Sequence, residues 1–305
     1  MRRVARPTLV PSLTDRPALE CAVHQYPVIM PTRTYAHPPV REVVVSLAFD
    51  AVGSDAEAFA ERADAAPWPE RLGERVELDD TRILGRASPV GGVAWQTRVV
   101  RTGLALSDAP ALEATRALQL RPELASYHVV RPLPRPRGTY AGWPTAAAEL
   151  AELRPTLAGV YGDVRITRLS LRYLNRFVIP AGSSLDDWLT VGAFGPAGIG
   201  GPASFSVRLL WDALDYAPDF GASLSLYAVD ADDEPTAHED DLALLLDLEV
   251  AALNAGDAIT WDTIGDVMSR AHDAHGALFE ACLTDALRDT FQSDPAVGNP
   301  QLGGS

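Results

Sequence analysis

Two stretches of the chain run through the same order of secondary structure. Each reads as a strand, a short helix, three strands and a long helix. Residues 40–49, VREVVVSLAF, are β-branched and apolar at almost every position, the mark of a strand buried on both faces. Residues 54–65 carry a Ser/Asp cap and good helix formers. Strands follow at 92–101, 115–120 and 125–131, and a proline-led helix at 144–158, which Pro155 shortens or bends. The second series begins with a long strand at 164–179 and a capped turn of helix at 183–191. Strands at 204–214, 222–230 and 242–253 come next, and a helix over 260–291 capped by Thr260 ends it. The two series are offset by roughly 120–130 residues without residue-level identity, so the repeat is one of pattern. Short connections between strands, with helices at set points, argue α+β rather than βαβ crossovers. The expectation is a duplicated unit, residues 35–162 and 163–292. Its two opening strands lie side by side, and a curved antiparallel sheet packs on the long helices, as in helix-grip and TATA-binding-protein-like folds. Such a likeness carries no function by itself.

A chain of 305 residues accommodates two such halves, and 47 % hydrophobic with 22 % charged residues matches an ordinary globular protein. No run approaches the ~18 apolar residues of a membrane span. The first 34 residues hold five prolines and no helical period, which predicts a flexible arm, and residues 293–305 read as a fraying tail. The arm lacks the apolar core of a secretory signal, and Met30 is an alternative start. Cys21 and Cys282 cannot form a disulfide scaffold, so the expected location is the cytoplasm.

All 26 basic residues are arginine and the formal net charge is −15. Without lysine there is no Schiff-base chemistry, no P-loop and no protein-kinase site. The negative charge disfavours non-specific nucleic-acid binding, although a local basic groove stays open as a reading.

Within 164–179 the period of two sets Arg168, Arg172 and Arg176 on one face, about 13 Å from one to the next. Guanidinium groups in such a row either recognise an anion or pair with acids on neighbouring strands. Glu42, inside the first apolar strand, needs a partner if buried. With the opening strands adjacent, Arg172 or Arg176 is expected to reach it, giving a structural ion pair. A proline-stiffened stretch carries Arg131, Arg135 and Arg137 and ends at Tyr140 and Trp143. Arginines with aromatics make a recognition surface, or Trp143 anchors the next helix.

Three stretches carry a resemblance: Tyr35-Ala-His-Pro-Pro-Val-Arg-Glu-Val-Val, Leu171-Arg-Tyr-Leu-Asn-Arg-Phe-Val-Ile-Pro180, and His275-Gly-Ala-Leu-Phe-Glu-Ala-Cys-Leu-Thr-Asp285. Over residues 35–291 the chain resembles a sporadically distributed bacterial family of uncharacterised proteins. That family has a Pro-Pro-x-x-Glu opening strand, an Arg-Tyr-x-Asn-Arg central strand and a closing helix with a His–Phe–Thr-Asp pattern. The family has Asn before Pro-Pro where this chain has His37. The resemblance implies shared architecture for Glu42, Arg172, Tyr173, Asn175, Arg176 and His275, and brings no activity with it.

His272 and His275 sit one turn apart, near Asp273 and Glu280, but two imidazoles are not a metal site, and no metal or other cofactor is expected. Cys282 reads as a small core residue. The acidic stretch 230–241 lacks the spacing of a calcium loop, and Gly192–Gly201 lacks that of a phosphate loop. No nucleophile elbow or aligned triad is present. The expected function is therefore non-enzymatic. The chain would bind a protein or peptide partner as an accessory or scaffold component of a bacterial gene cluster, such as a defence, toxin-linked or peptide-modification system. Self-association is possible. A cavity between sheet and helices holding an anion, as an enzyme or binder, is the alternative. Specific nucleic-acid binding is the third reading.

Overall fold

The computed structural model describes residues 33–50, 55–87, 93–110, 113–131, 142–191, 206–229, 241–253 and 259–292, with backbone alone for 80–87, 93–100 and 253. Arg135, Arg137, Tyr140, the glycine-rich stretch, the acidic stretch before Asp241, the tail and nearly all of the N-terminal arm lie outside them.

The first apolar run forms β1 (Val40–Phe49), followed by α1 (Ala56–Ala65). Asp55 caps α1 by accepting from the amides of Glu57 at 3.2 Å and Ala58 at 3.1 Å. Four strands follow, not three: β2 (Glu74–Ala87), β3 (Val93–Ser107), β4 (Arg116–Arg121) and β5 (Leu124–Val130). The unforeseen β2 carries Asp79, Asp80 and Gly85, all poor strand formers. Helix α2 (Gly142–Tyr161) runs through Pro155 and ends at Gly162, whose φ of +64° is the left-handed conformation glycine adopts most easily. Burial of Leu153, Leu157 and Val160 holds the helix together past the missing proline donor.

Strand β6 (Ile166–Ile179) opens the second series. The expected short helix is a single 3-10 turn, Leu185–Asp187. Strands β7 (Ser206–Trp211), β8 (Phe220–Val229) and β9 (Leu242–Leu253) follow. The expected closing helix is two: α3 (Ile264–Cys282) and α4 (Asp285–Gln292). The break falls where Leu283 bridges Leu189 and the Thr284 amide donates to the Trp188 carbonyl at 3.1 Å. Thr263, not Thr260, is the cap position of α3.

Among the described residues the strands form one antiparallel sheet in the order β2-β3-β4-β5-β1-β6-β9-β8-β7. The two opening strands pair directly, Val43 against Tyr173 and Val45 against Leu171. On either side of that pair the strands step outward in reverse chain order. The sheet is large and curved, and one face buries a continuous core against the helices. That core takes Val43, Val45 and Leu47 from β1, Leu169 and Leu171 from β6, and Leu244, Leu246 and Leu248 from β9. Glu149 of α2 accepts from Tyr127 Oη and Arg116 Nε, each at 2.8 Å, which pins that helix to β4 and β5. Gly103 permits β3 to approach β4: a Cβ there would lie 2.0 Å from the Leu120 carbonyl oxygen. No helix among the described residues is long and apolar enough to cross a membrane.

Candidate functional site

The arginine row lies on the sheet face away from the helices, and its acids come from β9. Arg168 Nη2 meets Glu249 Oε1 at 2.8 Å. Arg172 grips Asp247 with both arms of its fork, Nε at 2.7 Å and Nη2 at 2.6 Å, and that hydrogen bonding raises its pKa further. Arg176 is buried, and its amide donates to the Pro39 carbonyl. The expected Glu42–arginine pair is corrected by the register. Leu174 stands opposite Glu42 on β6, and Arg172 stands opposite Val44 and turns to Asp247. Glu42 pairs instead with His128 Nδ1 at 2.7 Å, and His128 Nε2 meets Ser126 Oγ at 3.0 Å.

The opposite face of the same strands builds a cleft of about 580 Å³. It lies where the segment preceding β1, the start of α2, the middle of β6 and the second half of α3 converge. All three stretches that carry the family resemblance contribute to its wall: Tyr35 to Val40, Tyr173 with Asn175, and His275 with Phe279 and Glu280. Period-two alternation on β6 accounts for this, since Tyr173 and Asn175 face the helices while Arg172 and Arg176 face away.

At one end Tyr35 Oη donates to Glu280 Oε1 at 2.6 Å, and Arg288 Nε donates to Glu280 Oε2 at 3.0 Å. Arg288 also donates to the Glu280 carbonyl oxygen at 2.5 Å and to Asp285 Oδ1 at 2.6 Å. The carboxylate is buried yet fully engaged, which suits a structural anchor rather than a proton donor. Burial and the Glu280 carboxylate together push the Tyr35 hydroxyl pKa well above its ordinary value. Tyr35 packs edge-on against Phe279 and Phe291, with centroids at 6.3 and 5.5 Å.

At the other end Trp143 stacks on His272, with centroids 4.7 Å apart and planes 10° from parallel. His272 Nδ1 lies 3.2 Å from Tyr173 Oη, and burial lowers the pKa of this imidazole. His275 is deeper, with its ring 4.2 Å from that of Tyr173. Burial, with a smaller contribution from His272, lowers its pKa to about 3, so the ring is neutral at pH 7. The Leu248 backbone opposes that shift through a hydrogen bond, and Nε2 is buried without a hydrogen-bond partner. A neutral imidazole with so low a pKa is a weak base, and its unprotonated ring nitrogen is a hydrogen-bond acceptor.

Of the residues singled out from sequence, the cleft gathers Arg131, Trp143, Tyr173, Asn175 and His275. It leaves Glu42, Arg168 and Arg172 on the other face of the sheet. His272 and Glu280, weighed from sequence only as part of a metal arrangement, also line the cleft, and Tyr35 and Arg288 gain their importance only from the fold. Tyr35 lay in a stretch already singled out, but nothing local marks it as the partner of an acid 245 positions away. Among the described residues no three His, Cys, Asp or Glu side chains gather as a metal site. A smaller apolar cavity of about 290 Å³ lies between the sheet and α2–α3, sharing Trp143 with the cleft. A scan against protein-family models finds no match, and a search of curated proteins finds no similar sequence.

Proposed function

We propose that this chain is a binding protein whose cleft takes a small organic ligand with a planar ring and an O–H or N–H donor. The observation that carries the reading is His275, a buried residue of the cleft wall whose Nε2 has no hydrogen-bond partner. Burial without a partner costs about 1–3 kcal/mol, which a ligand donor recovers. The ring class follows from Tyr35, Trp143, Tyr173 and Phe279 around the same space, and the volume lies within the range of small-molecule sites. Arg33 and Arg131 also line it, favouring a ligand with a carboxylate at its far end. This revises the anion site expected at Arg168, Arg172 and Arg176, whose first two members are already matched by carboxylates.

The test is calorimetric titration with 4-hydroxyphenylacetate and its deoxy analogue phenylacetate, on the wild-type chain and on His275→Phe, which keeps the ring and its burial. The expected result is tighter binding of the hydroxylated compound by wild type alone. Equal affinities for the two compounds, or unchanged discrimination in His275→Phe, would sink the reading.

A second reading, an accessory protein that binds a protein or peptide partner, is favoured by β7. This strand closes one edge of the sheet and exposes Leu210 at 67 % and Leu209 at 38 %. We also read the reversed strand order on either side of β1–β6 as an internal duplication of helix-grip type. The bacterial family resemblance fits that architecture, and the cleft is the place where its three stretches would share a role.

A further inference from the structure

The ladder of β2 with β3 runs far past the rest of the sheet. β4 meets β3 only from Leu104 to Ser107, whereas β2 pairs with β3 from Glu74–Ser107 out to Ala87–Val93. The pairs from Asp79–Arg101 outward form a two-stranded ribbon about 27 Å long. A two-stranded ribbon is marginal in water without something packed on it. Register makes this one amphipathic. Beyond Asp79–Arg101, one face takes Thr81, Ile83, Gly85 and Ala87 with Val99, Thr97, Trp95 and Val93 across the ladder, whereas the other takes Asp80, Arg82, Leu84 and Arg86 with Val100, Arg98, Gln96 and Ala94, so the charged residues past Asp79–Arg101 gather on the second face. Arg82 stands directly opposite Arg98, a like-charge pair that a neighbouring carboxylate would relieve. Across 79–101 the sequence has four arginines and two aspartates, a local positive excess in a chain of net charge −15. The outer edge of β2 has no strand beside it among the described residues.

We propose that a second copy of this chain pairs along that edge, antiparallel about a two-fold axis normal to the sheet and centred on Thr81. Such symmetry sets each residue against one on the same face. Around Thr81 it sets Asp80 opposite Arg82 of the second copy, twice, and Leu78 opposite Leu84, twice, with Thr81 at the axis. The charges beside the axis thus match in reverse, as an isologous interface requires, while the next pairs set Asp79 against Ile83 and Glu77 against Gly85. Asp80 of the second copy supplies the carboxylate that Arg82, facing Arg98, calls for. The two ribbons become four strands, past the three that a sheet segment needs to persist.

Light scattering on the full chain at micromolar concentration should give twice the 32.7 kDa chain mass. Arg82→Glu sets two acidic pairs across the axis while putting opposite charges at the Arg82–Arg98 register position, so the variant stays folded and its dimer dissociation constant rises roughly tenfold or more. Asp80→Arg weakens the dimer through two basic pairs. An equimolar mixture of the two variants restores opposite charges at both positions and should form a heterodimer. A monomeric wild type, a variant dimer as tight as wild type, or a mixture no tighter than its components would each overturn the proposal. So would binding of a short DNA duplex by a monomeric wild-type chain that Arg82→Glu abolishes, which would assign the ribbon to nucleic acid.

Discussion

Acid should weaken this fold through His275 in a way that a single substitution removes. The imidazole is 4 % exposed, and its pKa falls to about 3 in the folded chain, against an ordinary value near 6.5. The groups nearest it are His272 on the same helix, whose pKa is itself lowered by burial, and the Tyr173 ring facing it from β6. Above pH 6.5 neither folded nor unfolded chain protonates this ring, and the stability is fully present. As the pH falls below 6.5 the unfolded chain takes up a proton that the folded chain refuses, until the folded value is reached. The slope approaches about 1.4 kcal/mol per pH unit for one proton, or about 2 kcal/mol between pH 6.5 and 5.0. The assay is urea unfolding followed by circular dichroism at pH 7.0, 6.0 and 5.0 on wild type and His275→Gln. The glutamine cannot titrate, and other acid-sensitive groups are common to both proteins. Wild type should lose about 2 kcal/mol more than the variant across that range. Parallel losses would refute the reasoning, because they would mean that His275 takes up its proton as readily folded as unfolded.

Arg288→Ala leaves the buried Glu280 carboxylate with Tyr35 alone and should cost about 3 kcal/mol in urea unfolding. Arg172→Ala removes a fork that is 43 % exposed, so its cost should stay below about 1 kcal/mol, and ligand titrations should not change because it lies on the face away from the cleft. Gly103→Ala forces β3 from β4 at the Leu120 carbonyl and should lower stability by about 2 kcal/mol or more, visible as a fall in melting temperature.

Apolar periodicity marked β1, β4, β5, β6 and β8 to within a few residues, and β9 followed from its place in the repeated order; these strands fill the centre of the sheet, where burial selects their side chains. The repeated order of elements, rather than periodicity, set the opening strands side by side, and they pair directly. Periodicity passed over β2, which stands at an edge, exposes Val76 at 59 % and is held by its ladder to β3 rather than by apolar burial. It ran two helices into one because Leu283 and Thr284 break the helix through contacts with Leu189 and Trp188, nearly a hundred residues earlier. For the site, the sequence supplied the stretches but not the sides. Alternation along β6 could be read directly, yet which face met the helices depended on packing. Tertiary structure alone decided that Tyr173 and Asn175 join His275 in the cleft while Arg172 turns to Asp247 behind it. Register then chose His128, diagonal to Glu42 on β5, over an arginine, because a strand's own sequence fixes which residues share a face and only its neighbours fix which come within reach across the ladder.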